Sequence, residues 1–186
     1  MTTEELEEKL EAGTETQTTE FKCACDWNVN SLAKDILALS NVRDGGYIII
    51  GVEDGSFVRQ GVTTSQKESY KIDIMRDQMT AYADPHVDFS VSFPKDSGGK
   101  EYIAIKVFPF RDIPVICRKN NGDVKIGVLY YRNRNRRTES AAVSNSYDMR
   151  DIIQLATVKM MQGMTELGLT VDNSTKQKLD KELGGL

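Results

Sequence analysis

The most apolar run in the chain covers residues 47–52, and its β-branched side chains are typical of a buried β-strand. A glycine pair precedes this run and Asp54-Gly55 follows it, and both dipeptides are common in turns. The pattern therefore predicts a core strand that reaches the surface beside the carboxylates of Glu53 and Asp54.

Periodic apolar positions predict the remaining elements. Helical spacing predicts helices over residues 4–11, 30–44, 69–83 and 149–161. Thr3 is expected to cap the first helix, and the glycine pair at 45–46 is expected to end the second. Strands are predicted over residues 18–25, 47–52, 57–61, 87–93, 101–108, 114–118 and 125–132, with a hairpin between the fourth and fifth. This order predicts an α+β fold with a mixed, largely antiparallel sheet and packed helices.

The pattern divides the 186 residues into an acidic N-terminal helix (1–14), a main domain (15–162) and a polar C-terminal tail (163–186). A chain of this length buries roughly 70% of its unfolded surface, so a core can form without disulfides. The three cysteines are an odd number, which argues against a disulfide framework. The sequence shows neither a signal-like start nor a membrane-spanning run, and we expect a cytoplasmic protein without membrane contact.

Charge is strongly segregated along the chain, although the formal net charge is only −4. Residues 1–20 carry seven glutamates and one lysine, whereas residues 111–137 carry eight lysines and arginines against two aspartates. The modest net charge argues against a protein that coats nucleic acid without a defined site. The basic segment instead favours one phosphate-binding face.

Carboxylates five residues apart open the segment Glu15-x4-Glu20-Phe21-Lys22. In a strand, Glu20 and Lys22 lie on one face and Phe21 on the other. If this strand pairs beside residues 47–52, the carboxylates converge with Asp54, and such oxygen ligands suit hard divalent cations that assist phosphate chemistry. Alternatively, the acidic residues are surface carboxylates, with Glu20 paired to Lys22 or to an arginine.

The E-x4-E-F-K motif, a helix, and then N-x3-G-G-Y-I-I-I-G-V-E-D-G together resemble the Schlafen AlbA_2 domain over about residues 15–155. The resemblance implies a nucleic-acid-binding protein, because Schlafen members are endoribonucleases that cut structured RNA such as tRNA. It implies that the catalytic acidic triad is Glu15, Glu20 and Asp54, which would hold Mg²⁺ or Mn²⁺, with Lys22 at the phosphate. It also implies a homodimer, because Schlafen proteins join two such units and this chain holds one.

A basic run, Tyr-Tyr-Arg-Asn-Arg-Asn-Arg-Arg, covers residues 130–137. It resembles the family's Y-x-R-x-G segment at its first tyrosine and first arginine. Arginines bind phosphates, and a tyrosine can stack on an unpaired base. The residues predicted to bind nucleic acid are therefore Tyr131, Arg132, Arg134, Arg136 and Arg137. Alternatively, the run is a solvated strand end that pairs with the acidic N-terminus.

Three functions follow from these patterns. The first is a metal-dependent endoribonuclease, and the second is a non-catalytic DNA-binding or transcription-regulatory protein that uses only the basic face. The third is an interaction module whose acidic N-terminus docks on a basic face. Nucleotide hydrolysis is disfavoured, because the chain has neither G-x4-G-K-[ST] nor a G-x-G-x-x-G that follows a strand.

Overall fold

A computed structural model describes residues 1–133 and 138–169 of the chain. The helices are α1 (Thr3–Ala12), α2 (Val29–Ser40), α3 (Thr64–Ser69), α4 (Ile72–Thr80) and α5 (Ser146–Glu166). The strands are β1 (Thr19–Lys22), β2 (Gly46–Ile50), β3 (Ala83–Asp84), β4 (Phe89–Ser92), β5 (Ile103–Val107), β6 (Ile116–Cys117), β7 (Tyr130–Arg132) and β8 (Ser140–Ala142).

The central sheet has the strand order β1-β2-β5-β4. Strands β1 and β2 run parallel, whereas β2 with β5 and β4 with β5 run antiparallel. Two further antiparallel pairs, β3 with β6 and β7 with β8, lie outside it. The predicted α+β fold with a mixed, largely antiparallel sheet is thus confirmed, and the predicted hairpin corresponds to β4 and β5.

The two faces of the central sheet are covered by different helices. Ile48 and Ile50 belong to the main core, which contains the apolar side of α2. Ile49 points to the opposite face, where it joins Leu6 and Leu10 of α1 in a second cluster. Because successive side chains of a strand alternate between faces, Glu20 and Lys22 lie on the α2 face and the intervening residue on the α1 face.

The helix ends differ from the sequence prediction. Thr2, and not Thr3, caps α1, in a capping box with Glu5. Helix α2 ends at Ser40, so the glycine pair lies beyond its cap and makes the turn into β2. Gly45 has φ +65°, and a Cβ there would come within 2.1 Å of a backbone oxygen of β5. The first glycine of the pair therefore permits a close backbone approach that no other residue allows.

The bounds or types of several elements differ from those predicted from the sequence. The helix predicted over residues 69–83 is shorter, because α4 covers only Ile72–Thr80 and the last predicted residue belongs to strand β3. Helix α3, which precedes α4, was not predicted. The strand predicted over 57–61 is an isolated bridge between Val52 and Arg59. Strand β8 was missed, and α5 extends to Glu166, past the predicted start of the tail. Within residues 1–133 and 138–169, no helix combines the length and apolar character needed to cross a bilayer.

Candidate functional site

Five ionisable side chains meet on the α2 face of the sheet and are called the charged cluster below. They are Glu15 before β1, Glu20 and Lys22 on β1, Asp35 on α2 and Arg132 at the end of β7. The parallel pairing of β1 with β2 fixes the first strand, and α2 packs over it. The cluster therefore joins the segment E-x4-E-F-K to the beginning of the basic run.

Arg132 is the centre of the charged cluster, and its side chain is 0% exposed. Its Nη1 donates to a carboxylate oxygen of Glu20. Its Nε and Nη2 donate to the carbonyl oxygen of Thr16 at 3.2 and 2.9 Å, and Nη2 also donates to that of Thr19 at 3.1 Å. The guanidinium thus ties β7 to the chain segment that enters β1, and its charge is balanced inside the protein.

Lys22 connects two buried carboxylates. Its Nζ lies 2.6 Å from Glu20 Oε1 and 3.1 Å from Asp35 Oδ2. Burial disfavours the charged ammonium, but the negative charges of Asp35 and Glu20 outweigh that effect and raise the pKa of Lys22. The side chain is 34% exposed, so Lys22 is a permanent cation of the cluster that a ligand can reach.

Asp35 was missed by the sequence analysis. It lies on the buried side of α2, three residues after Leu32 and directly before Ile36. Burying a carboxylate in the apolar face of a helix costs free energy unless the charge is paired. The position of Asp35 in that face was therefore the sequence signal that could have indicated a buried ion pair. Its partner in the structure is Lys22.

The environment of Glu15 raises the pKa of its carboxyl group. Its Oε1 accepts a hydrogen bond from the Phe21 amide at 3.3 Å, and its Oε2 lies 3.9 Å from Arg132 Nη2. Burial and the neighbouring charge of Glu20 raise the pKa of Glu15 to about 7. A carboxyl group that exchanges its proton near neutrality is suited to general acid–base chemistry.

This titration predicts a pH-dependent difference between the parent and Glu15→Gln. The pKa of Glu15 rises from 4.5 to about 7 on folding, so its contribution to stability is complete at low pH and is lost as the pH rises through 7. The glutamine variant does not titrate there. The free energy of unfolding is measured with urea for both proteins. The value for the variant minus the value for the parent should increase by about 2 kcal/mol between about pH 4 and pH 8, a figure reduced for the partial exposure of Glu15. The exposed Glu8→Gln should follow the parent, and a Glu15→Gln curve parallel to the parent would contradict the assignment.

Asp54 does not join the charged cluster. It is exposed in the turn after β2, and its neighbour Glu53 accepts a hydrogen bond from Ser56 at 2.6 Å. The turn is anchored by Phe57, whose ring packs edge-to-face on Phe21 with the centroids 5.7 Å apart. This anchor belongs to the α1 face of the sheet.

The three carboxylates predicted to hold Mg²⁺ or Mn²⁺ do not fit a divalent cation in this arrangement. Both oxygens of Glu20 are engaged by cations, one by Lys22 and the other by Arg132, while Asp54 faces solvent. Across residues 1–133 and 138–169, no three side chains of His, Cys, Asp or Glu are grouped so as to hold a metal ion. The metal ligands therefore stay a prediction.

The basic run starts beside the charged cluster, but Tyr131 and Arg132, two of its predicted nucleic-acid contacts, are buried. Tyr131 is 5% exposed and packs with Val42 and Ile152, and Arg132 is fully enclosed. In this conformation neither side chain reaches the surface, so contact of either with nucleic acid stays a prediction. The other predicted contacts, Arg134, Arg136 and Arg137, lie outside the described residues.

Comparison with known proteins adds two findings. The family model described as Schlafen, AlbA_2 matches residues 15–141. Among solved structures, the chain is similar in fold to the DIP2311 protein from Corynebacterium diphtheriae, with 17% sequence identity and a TM-score of 0.50. The similarity covers 80% of this chain and 28% of that one. No curated protein matches the sequence.

Proposed function

The chain belongs to the Schlafen AlbA_2 family, and we propose on this basis that it binds and cleaves structured RNA, such as tRNA. Family membership indicates a nucleic-acid-related function, and cleavage is the further step. One observation carries that step: Glu15, Glu20 and Lys22 lie together at the residue where the basic run begins. An acid–base group, Glu15, and an accessible cation, Lys22, are thereby available to one substrate.

The residues support distinct roles in such a reaction. Glu15, with a pKa of about 7, accepts a proton from the attacking hydroxyl group at neutral pH. Lys22 offers the accessible ammonium that balances charge developing on the phosphate. If the ribose 2′-hydroxyl attacks the adjacent phosphorus, the P–O5′ bond breaks, the 5′-oxygen leaves as a hydroxyl with the proton that Glu15 accepted, and a cyclic phosphate remains. Attack by water leaves a linear phosphate instead. Analysis of the product ends distinguishes the two.

A non-catalytic DNA-binding or regulatory protein is the second candidate. The pairing of Glu20 with both Lys22 and Arg132 favours it, because charges neutralised in this way also serve simply to join β1, α2 and β7. In this case the basic run alone contacts the nucleic acid, and the carboxylates have a structural role.

One assay separates the candidates. The purified protein is incubated with tRNA, single-stranded RNA and duplex DNA, each with Mg²⁺, Mn²⁺ or EDTA. We expect cleavage of tRNA, and its loss in EDTA would support the predicted metal. Retention of DNA or RNA without cleavage would select the regulatory protein. The absence of both binding and cleavage would contradict the proposal.

We also propose a cytoplasmic homodimer. Support comes from α5, which leaves a row of apolar side chains exposed along one side: Met149, Ile153, Met160 and Met164. Their spacing of about four and seven residues is typical of helices that pair. Sedimentation should give about twice the 20.9 kDa of one chain, and Ile153→Glu/Met160→Glu should shift it to one chain. A clean monomer of the parent at high micromolar concentration would contradict the proposal.

A further inference from the structure

Two lysines approach one tyrosine ring on the α1 face of the sheet, opposite the charged cluster. The Nζ atoms of Lys9 and Lys106 lie 5.2 and 4.4 Å from the centroid of the Tyr47 ring. These three residues are called the lysine–tyrosine cluster below. Each contact lies within the range of a cation–π interaction, so the ring holds two like charges near each other.

The sheet register builds this cluster. Thr19, Tyr47, Lys106 and Ser90 are successive partners across β1, β2, β5 and β4, so they form one row over the whole sheet. Helix α1 crosses above this row and adds Lys9, whose Nζ donates to Thr19 Oγ1 at 3.4 Å. The row is polar, whereas the next row on this face, which includes Ile49, is covered by α1.

Helix α1 is fixed in place by contacts that do not involve the cluster. Leu6 and Leu10 are buried against the sheet. Glu7 accepts a hydrogen bond from the Ser97 amide at 2.6 Å and forms a salt bridge with Arg59 at 2.9 Å. The position of Lys9 above the sheet is therefore set by the fold and needs no ligand to create it.

The two ammonium groups lack a carboxylate partner. No acidic side chain within residues 1–133 and 138–169 forms a salt bridge with Lys9 or Lys106. The nearby Glu5 is engaged in capping α1, where it accepts a hydrogen bond from the Thr2 amide at 2.7 Å. Burial and the charge of Lys9 lower the pKa of Lys106, and they outweigh the smaller opposing effects of Asp44 and Glu5. An anion placed between the lysines would relieve this repulsion.

We propose that Lys9, Tyr47 and Lys106 bind a phosphate group of the nucleic-acid backbone. The inference rests on the proposed function and adds a contact on the second face of the sheet, with Lys9 outside the residues that match the family. Strand β1 is an edge strand, and Thr19 beside the lysine–tyrosine cluster directly precedes Glu20 of the charged cluster. A nucleic acid that runs along β1 reaches the two lysines on one face and Lys22, the accessible member of the charged cluster, at the end of the strand.

The test compares two double variants that remove the same charge. In Lys9→Gln/Lys106→Gln the cluster is lost, whereas Lys71→Gln/Lys95→Gln removes two exposed lysines that lie outside both the cluster and the basic segment. Binding of a fluorescein-labelled single-stranded RNA is followed by anisotropy between about 0.05 and 0.2 M salt. The first variant should bind about tenfold more weakly and lose roughly 0.7–1.4 of the salt slope, which corresponds to one or two phosphates. The second should resemble the parent, and Lys9→Arg/Lys106→Arg should keep the slope because it keeps the charge.

One outcome overturns the inference alone, and another overturns the proposed function and leaves the cluster to a separate measurement. If the two glutamine variants bind alike while replacing Arg134, Arg136 and Arg137 with alanine weakens binding, the inference fails and the proposed function stands. If the parent binds neither RNA nor DNA, the proposed function fails. A titration with pyrophosphate then tests whether the lysine–tyrosine cluster binds a phosphate group. Shifts of the Tyr47 ring resonances that the double glutamine variant lacks would then support a phosphate site, and unshifted resonances would overturn it.

Discussion

An Arg132→Met variant is expected to lose about 3–5 kcal/mol of the free energy of unfolding, the usual cost of removing one partner from a buried ion pair. Methionine fills much of the volume of the arginine but carries no charge. Glu20 then keeps only Lys22 as a cationic partner, and Glu15 loses the positive charge nearest to it. It also removes the donors to the carbonyl oxygens of Thr16 and Thr19. The loss should be visible as a lower urea midpoint with an unchanged dependence on urea concentration.

Two further variants make this prediction specific. Arg111→Met removes an arginine whose side chain is 83% exposed, and it should change the free energy of unfolding by less than about 0.5 kcal/mol. The double variant Arg132→Met/Glu20→Met should recover part of the loss, because it replaces both buried charges with apolar groups. If Arg132→Met is as stable as Arg111→Met, Arg132 does not hold the cluster together and is available to a ligand.

The location of Arg132 shows what a charge pattern can and cannot predict. Its neighbours in the sequence are basic, and that density correctly marks a segment rich in cations. Burial, however, depends on partners more than 100 positions away, such as Glu20, 112 residues earlier in the chain. Charge density along the sequence carries no information about such partners. The same reason explains why the burial of Tyr131, which packs on Val42 and on Ile152 of α5, was not predicted.

The core was easier to predict because its signals are local. The β-branched run that became β2, the alternation that became β4 and the apolar face of α2 each specify an element through its own side chains. The sequence analysis made the pairing of β1 beside β2 a condition of the acidic site, and the structure shows this pairing, parallel and with Glu20 opposite Ile48. Local periodicity therefore fixed the framework on which the charged cluster lies.

Within the described residues, Asp54 is not grouped with Glu15 and Glu20 as a metal site would require, and the acidic triad stays a prediction. The sequence places Asp54 just after β2, at the edge of the sheet where β1 also ends, and this much is correct. Phe57 then packs on Phe21, which turns the loop toward the α1 face. Glu20 lies on the other face of the sheet, beside Lys22 and Arg132. The sequence around Phe57 did not indicate on which face of the sheet its ring would pack.

Asp54→Asn is expected to reduce RNA cleavage by about 10²–10⁴-fold, the range typical of a lost acid–base or charge-stabilising group. The affinity for RNA should stay within about twofold of the parent, because the substitution keeps the volume of an exposed side chain. Resemblance to the family is the reason to single out Asp54. Cleavage of labelled tRNA under single-turnover conditions gives the rate, and anisotropy gives the affinity.

The neighbouring Glu53 provides the matched control for this prediction. Glu53→Gln makes the same change of charge one residue away in the same exposed turn, and it should cleave at the rate of the parent. Glu20→Gln is a poor test, because it also unpairs Lys22 and Arg132 and lowers stability. Glu15→Gln should lose cleavage as Asp54→Asn does while remaining folded. If Asp54→Asn and Glu53→Gln both cleave like the parent, Asp54 has no part in the reaction, and the turn after β2 is not part of the site.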